Sequence, residues 1–92
     1  MIRSFRHRGL KRLFERGDKA QVRPDVLAKV ENILALLDRA ASAEDMALSG
    51  FRLHQLRDDL RGFWSVAVSA NWRVIWRFSG RDVVDVDLID YH

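Results

Sequence analysis

The stretch FWSVAVSANWRVIWRF, residues 63–78, decides the fold, because apolar and polar side chains alternate along it on both sides of a break at Ala70-Asn71. Alternation with a period of two is typical of a β-strand that has one buried face. The stretch therefore predicts two strands, 63–69 and 71–78. Because the link between them is short and turn-prone, the strands are predicted to pair antiparallel.

A third alternating run, VVDVDLID (83–90), follows a four-residue link that contains Gly80. Its position after a second short link extends the pair into a three-stranded antiparallel meander. One face of this meander is predicted to be apolar and to cover the helices of the fold. That face carries Trp64, Val66, Val68, Trp72, Val74, Trp76, Phe78, Val84, Val86 and Leu88.

Helical patterns precede the strands. Apolar residues recur at helical spacing in HRGLKRLFERG (7–17), where Gly17 is a helix stop, and in RPDVLAKVENILALLDRA (23–40). IRSF (2–5) is predicted to be a short edge strand, and residues 42–62 have no regular period. The predicted fold class is α+β, with two N-terminal helices packed on a small antiparallel sheet.

The composition predicts one domain, residues 1–92, because apolar residues make up 48% of a 92-residue chain. With no Cys, disulfides and thiolate metal sites are excluded. No run approaches the roughly 18 apolar residues of a membrane span, so we expect a cytoplasmic protein without membrane contact. The net charge is +3 and most of the basic residues are Arg, which is compatible with a polyanionic partner and equally with a GC-rich coding genome.

The sheet face away from the helices is predicted to carry Arg73 and Arg77. Asp85 and Asp87 fall on the same face of the next strand, so each arginine has two interpretations. It either forms an ordinary cross-strand ion pair or remains available to bind phosphate.

His54 and the terminal Asp90-Tyr91-His92 are the candidate proton-transfer groups. His54 lies in RLHQLRDDLRG, where a histidine between leucines is either a half-buried packing residue or a functional one. Tyr and His can each take or give a proton, and the pKa of a histidine side chain is ordinarily near physiological pH. The spacing of these residues matches no metal motif, so neither a metal nor a cofactor is expected.

A site of His, Tyr, Asp and Arg suits RNA cleavage by the substrate's own 2′-hydroxyl. The protein then has to supply a base for that hydroxyl, an acid for the departing 5′-oxygen, and cationic donors for the phosphoryl oxygens. DNA lacks the hydroxyl and would be spared.

The combination of MIRSF, GLKRLFERG, LHQLRDDLRGFWSVAVSANWRVIWRF and the terminal DYH resembles the HigB toxins, a branch of the RelE/ParE superfamily of toxin–antitoxin modules. The resemblance runs nearly end to end. It implies a RelE-like fold and an mRNA interferase that cuts messenger RNA in the A site of the 30S ribosomal subunit. It also implies a HigA-like helix-turn-helix antitoxin, through which alone the toxin would reach operator DNA.

By resemblance, the catalytic residues are His54, Arg73, Asp90, Tyr91 and His92. Arg57, Asn71 and Arg77 are predicted to contact RNA, with Asn71 orienting either the substrate or the strand turn. We expect His92 or Asp90 to take the 2′-proton, His54 or His92 to protonate the leaving oxygen, and Arg73 to balance phosphoryl charge. Tyr91 would stack on a base or assist proton transfer.

The chain departs from some relatives, which carry a further Arg where it has Ser69 or Ala67. Straight alternation of the third strand also puts Asp90 and His92 on the apolar face of the sheet, whereas Arg73 lies on the other face. A bulge near Ile89 would bring them to the face of Arg73. Two other functions are open. One is a ParE-like toxin that inhibits gyrase without catalysis, and the other is a basic, non-catalytic module that binds RNA or a protein partner.

Overall fold

Two helices precede a four-stranded antiparallel sheet in the structure, a computed structural model that describes residues 1–91. The helices are α1 (Arg8–Arg16) and α2 (Pro24–Arg39). The strands, in both chain and spatial order, are β1 (His54–Gln55), β2 (Trp64–Ala67), β3 (Trp72–Ser79) and β4 (Asp82–Asp90). The predicted α+β class and the meander of β2, β3 and β4 are confirmed, whereas β1 is an addition. His92 lies outside the described residues.

The ends of both helices follow from local chemistry. At the start of α1, His7 Nδ1 accepts a hydrogen bond of 3.0 Å from the Leu10 N–H, which satisfies one of the free donors of the first turn. Gly17 ends α1 in the left-handed conformation, with φ of 68°, and its N–H bonds back to the helix. Pro24 opens α2, where its missing N–H costs nothing. His7 is therefore a helix cap.

The main core lies between α2 and one face of the sheet. α2 buries a stripe at helical spacing, which consists of Val26, Val30, Ile33, Leu34 and Leu37. The sheet supplies Val66, Val74, Trp76, Val83 and Val86 to the same cluster. The apolar face predicted for the meander is thus confirmed for β2 and β3.

A β-bulge in β4 alters the predicted face of one residue. Ile75 pairs with Asp87 and Arg77 with Val84, so two residues of β4, Asp85 and Val86, stand opposite the single residue between Ile75 and Arg77. Asp85 has φ of 55°, a left-handed conformation that Asp tolerates better than most residues. The inserted residue changes the parity of the strand, so Val83 is buried and Val84 is not. The prediction that Val84 faces the core is wrong.

The N-terminal segment lies parallel to β4, with single bridges from Ile2 to Val83 and from Phe5 to Val86. Between these bridges, the Asp85 N–H donates to Ser4 Oγ at 2.9 Å. The predicted edge strand at 2–5 is therefore present as two isolated bridges, because the bulge at Asp85 interrupts the ladder.

Residues 56–63 fold over the sheet face opposite the helices. Leu56, Phe63 and Ile75 form a second small buried cluster, and Leu60 and Ile89 pack against it. Ile75 is only 1% exposed although it lies on the face predicted to be open. This 56–63 segment leaves two separate regions of that face uncovered, one around Arg73 and one around Arg77.

Within residues 1–91, neither helix has the length and apolar character needed to cross a membrane.

Candidate active site

An open groove of about 420 Å³ lies on the sheet face away from the helices. It is formed by strands β1, β2 and β3, by the turn that begins at Asp58, and by the residue that follows β4. The lining residues are His54, Gln55, Leu56, Arg57, Asp58, Ser65, Arg73 and Tyr91. Three of the five residues predicted to be catalytic, His54, Arg73 and Tyr91, therefore meet in one place.

Neighbouring strands bring these side chains together. His54 on β1 is the direct partner of Ser65 on β2. Ala67, two residues along β2, is the partner of Arg73 on β3. Since residues two apart on a strand share a face, His54, Ser65 and Arg73 all belong to the groove side of the sheet. The site is thus a consequence of strand register and not of one local motif.

Tyr91 enters the groove from the end of β4. Its N–H donates to the Asn71 carbonyl at 2.7 Å, which ties the end of the chain to the turn before β3. The Arg73 guanidinium carbon lies 5.6 Å from the centroid of the Tyr91 ring, within the range of a cation–π contact. The predicted role of Asn71 at the strand turn thus has a structural basis in its carbonyl group.

His54 makes a hydrogen bond that selects one tautomer of its ring. Its Nδ1 lies 2.7 Å from the Arg52 carbonyl oxygen. A carbonyl oxygen only accepts hydrogen bonds, so Nδ1 carries the proton and donates. Nε2 of the neutral ring then keeps a lone pair for proton exchange. Arg52 has φ of 52°, so a left-handed residue directs this carbonyl toward the histidine.

Arg73 is held by neutral partners. Its Nη1 donates to Ser65 Oγ at 3.3 Å, and its guanidinium carbon also contacts the Tyr91 ring. Within residues 1–91 no carboxylate forms an ion pair with it. The Arg73 cation is therefore available to an anionic ligand, as the phosphate-binding interpretation requires.

Arg77 differs from Arg73 although both lie on the same face of β3. Its Nε donates to Asp85 Oδ2 at 3.0 Å, and its guanidinium carbon lies 5.5 Å from the Phe63 ring centroid. It does not line the groove. The ion-pair interpretation holds for Arg77, which is not part of the candidate site.

The remaining predicted residues have different positions. Arg57 lines the groove beside His54. Asp90 pairs with Trp72, so the register assigns it to the face opposite Arg73, and it is not among the lining residues. No bulge near Ile89 shifts Asp90 to the face of Arg73, because the bulge occurs at Asp85 and the ladder is regular from Asp87 to Asp90. The prediction for His92 lies outside the described residues.

Sequence patterns did not identify Gln55 and Asp58 as groove residues. Both fall in the irregular stretch 42–62, where no alternation indicates a face. Asp58 has φ of 56° and opens a single 3₁₀ turn, Asp58–Leu60. Leu56, Leu60 and Phe63 are the signal that could have located this segment, because these apolar side chains pack it onto the sheet.

Comparisons with known proteins identify the family and the fold of this chain. A family described as "RelE-like toxin of type II toxin-antitoxin system HigB" matches residues 3–92. The chain is 36% identical to the endoribonuclease HigB of Proteus vulgaris over 92 residues, which cover 100% of this chain and 100% of that relative.

Solved structures share the architecture at low sequence identity. YafQ of Escherichia coli superposes with a TM-score of 0.62 at 12% identity, covering 96% of this chain and 91% of YafQ. A chain of the heterotetrameric YoeB–YefM toxin–antitoxin complex of Staphylococcus aureus gives a TM-score of 0.62 at 14% identity, covering 100% and 98%. At such identities the likeness concerns the fold alone. By the family match over residues 3–92, the chain belongs to the HigB-like family of RelE-like toxins of type II toxin–antitoxin systems.

Proposed function

We propose that this toxin is a metal-independent endoribonuclease that cleaves messenger RNA in the ribosomal A site by attack of the substrate's 2′-hydroxyl. The observation that carries the proposal is the groove in which His54 and Arg73 lie together. Its full-length relative in Proteus vulgaris is named an endoribonuclease, which supports the same activity here.

The proposed reaction needs no nucleophile from the protein. The 2′-oxygen attacks the adjacent phosphorus, the bond from phosphorus to the 5′-oxygen breaks, and the products carry a 2′,3′-cyclic phosphate and a 5′-hydroxyl. His54 acts in its imidazolium form: with Nδ1–H donating to the Arg52 carbonyl, it gives the proton on Nε2 to the departing 5′-oxygen and is left as the neutral Nδ1–H tautomer. Arg73 stabilises the negative charge that grows on the phosphoryl oxygens. Tyr91 supports Arg73 and offers its ring for stacking on a base.

The group that takes the 2′-proton is proposed to be His92 or Asp90. The strand register assigns Asp90 to the side of Trp72, away from the groove, which argues against Asp90 as the base. We therefore assign the proton to His92. Substitutions Asp90→Asn and His92→Ala, compared under one assay, decide between the two groups.

Ribosome binding is proposed to use the exposed basic face of α1. Arg8, Lys11, Arg12 and Arg16 line one shallow surface with a single acidic neighbour, Glu15. Among residues 1–91 none of the four forms an ion pair. Unpaired cations of this density suit phosphate contacts that are independent of sequence and weaken steeply with salt. Arg57 would make a similar contact inside the groove. A ribosomal target places the protein in the cytoplasm.

The antitoxin is proposed to be a HigA-like protein with a helix-turn-helix domain, and operator DNA would be bound only through it. The family match to a type II toxin–antitoxin system supports an antitoxin partner. A solved structure of the same fold, the YoeB–YefM complex, contains a toxin with its antitoxin.

The test is controlled expression of the wild type, His54→Ala and His92→Ala in bacteria, followed by mapping of new mRNA 5′ ends. The proposal predicts growth arrest with cuts inside translated codons and loss of both in each variant. His7→Asn is the matched control, because it replaces a histidine outside the groove and keeps a capping acceptor for α1. Growth arrest without cuts, retained in both variants, would favour a ParE-like gyrase inhibitor or a non-catalytic binding toxin.

A further inference from the structure

We propose that Ser65 is a positioning residue that holds the Arg73 guanidinium in the groove, an inference that rests on the proposed nuclease function. Ser65 is 0% exposed and is the only polar residue buried among residues 1–91. Burying a hydroxyl lowers stability unless the group is hydrogen-bonded. A buried serine in the middle of an apolar strand therefore calls for a specific partner.

The partner is Arg73. Its Nη1 donates to Ser65 Oγ at 3.3 Å, and Ser65 forms no other side-chain hydrogen bond within the described part of the chain. The guanidinium carbon also lies 5.6 Å from the Tyr91 ring centroid. An arginine side chain is flexible, and two contacts of different type restrict the directions in which its remaining donors can point.

Ser65 acts through Arg73 and does not touch the substrate. Ser65 is one of the groove-lining residues, but it is completely buried and leaves no surface for RNA. Ser65 is also the direct strand partner of His54. One residue of β2 therefore sets the relative placement of the proposed acid and the proposed phosphate-binding cation.

Small displacements of such groups have large kinetic effects, because catalysis depends on donors already aligned with the developing charge. Losing a neutral acceptor for a charged donor is expected to slow cleavage about tenfold. A purely structural serine would instead change stability, and its effect on the rate would be the same whether or not Arg73 were present.

The experiment is a double-mutant cycle with Ser65→Ala, Arg73→Ala and the combined variant. The rate of single-turnover mRNA cleavage on programmed ribosomes is measured for each, together with thermal unfolding. Ser69→Ala is the matched control, since Ser69 is an exposed serine just beyond β2. We expect Ser65→Ala to slow cleavage about tenfold in the wild-type background. In the Arg73→Ala background we expect less than about a twofold change.

Equal slowing in both backgrounds, or no slowing in either, would overturn the proposal. A second readout does not depend on catalysis. In ¹⁵N NMR spectra, slow rotation of the Arg73 guanidinium gives separate Nη signals and fast rotation gives one averaged signal. We expect separate signals in the wild type and in Ser69→Ala, and an averaged signal in Ser65→Ala. If the wild type fails to cleave RNA, the nuclease function is wrong, and the NMR result alone decides whether Ser65 holds Arg73.

Discussion

The two ends of the sheet face away from the helices carry similar arginines in different environments. At one end Arg73 contacts a serine hydroxyl and a tyrosine ring, with no carboxylate paired to it within residues 1–91. At the other end Arg77 is paired with Asp85 and contacts Phe63. Ile75, buried under the 56–63 segment, separates them. The alternating sequence makes the two arginines equivalent, whereas the tertiary structure makes one a candidate catalytic group and the other structural.

The bulge at Asp85 produces part of this difference. It brings the Asp85 carboxylate into an ion pair with Arg77, whose strand partner is Val84, and leaves Asp87 opposite Ile75. Asp87 instead accepts a hydrogen bond from the Leu88 N–H. As a result, the negative charge of β4 neutralises the Arg77 end and leaves the Arg73 end cationic.

The largest expected effect is the loss of His54 from the groove. His54→Ala should slow cleavage by about 10²–10⁴-fold, because an acid that protonates the leaving oxygen contributes on that scale. The measurement is the single-turnover rate on programmed ribosomes. His7→Asn should leave that rate within about twofold. A His54→Ala variant as fast as this control would remove His54 from the mechanism.

The arginine pair gives the most direct contrast between the two ends. Arg73→Ala should slow cleavage about 10²–10³-fold, since it removes a donor to the developing phosphoryl charge. Arg77→Ala should change the rate by less than about twofold and lower the free energy of unfolding by less than about 1 kcal/mol, as exposed ion pairs do. Equal losses of activity in the two variants would show that the ends are not distinct.

The bulge is tested by a smaller effect on stability. Asp85→Val should lower the free energy of unfolding by about 1–3 kcal/mol, because a β-branched residue is strained at positive φ. Asp85→Asn tolerates that conformation and loses only the charge, so the expected cost is less than about 1 kcal/mol. Chemical denaturation of the two variants measures the difference. Equal stabilities would mean that the left-handed conformation of Asp85 is unimportant.

Much of the fold was predictable because the local spacing of apolar residues indicates most of its helices and strands. Both helices and the three long strands follow from spacing that any amphipathic element shows. Gly17 ends α1 as its flexibility suggests. Resemblance to a known family then pointed to His54, Arg73 and Tyr91, which the structure brings to one groove.

What the sequence did not reveal depends on contacts between distant residues. β1 is only two residues long and is defined by its pairing with β2. Two residues are too few to show the alternation that predicts a strand. The bulged residue Asp85 is bonded to Ser4, which is far away in the chain, and to Arg77, which is on the neighbouring strand. The burial of Ile75 by the 56–63 segment is likewise a tertiary effect. Each of these features changes which side chains reach the groove.

The most direct test of the central claim uses an mRNA with one 2′-deoxy nucleotide. The wild-type toxin is incubated with programmed ribosomes carrying either the all-ribose message or a message that lacks the single 2′-hydroxyl next to the mapped cut. The account predicts cleavage of the first with a 5′-hydroxyl on the downstream product, and no cleavage at that position in the second. Cleavage of the deoxy message at the same site would show that the nucleophile comes from elsewhere and would contradict the proposed mechanism.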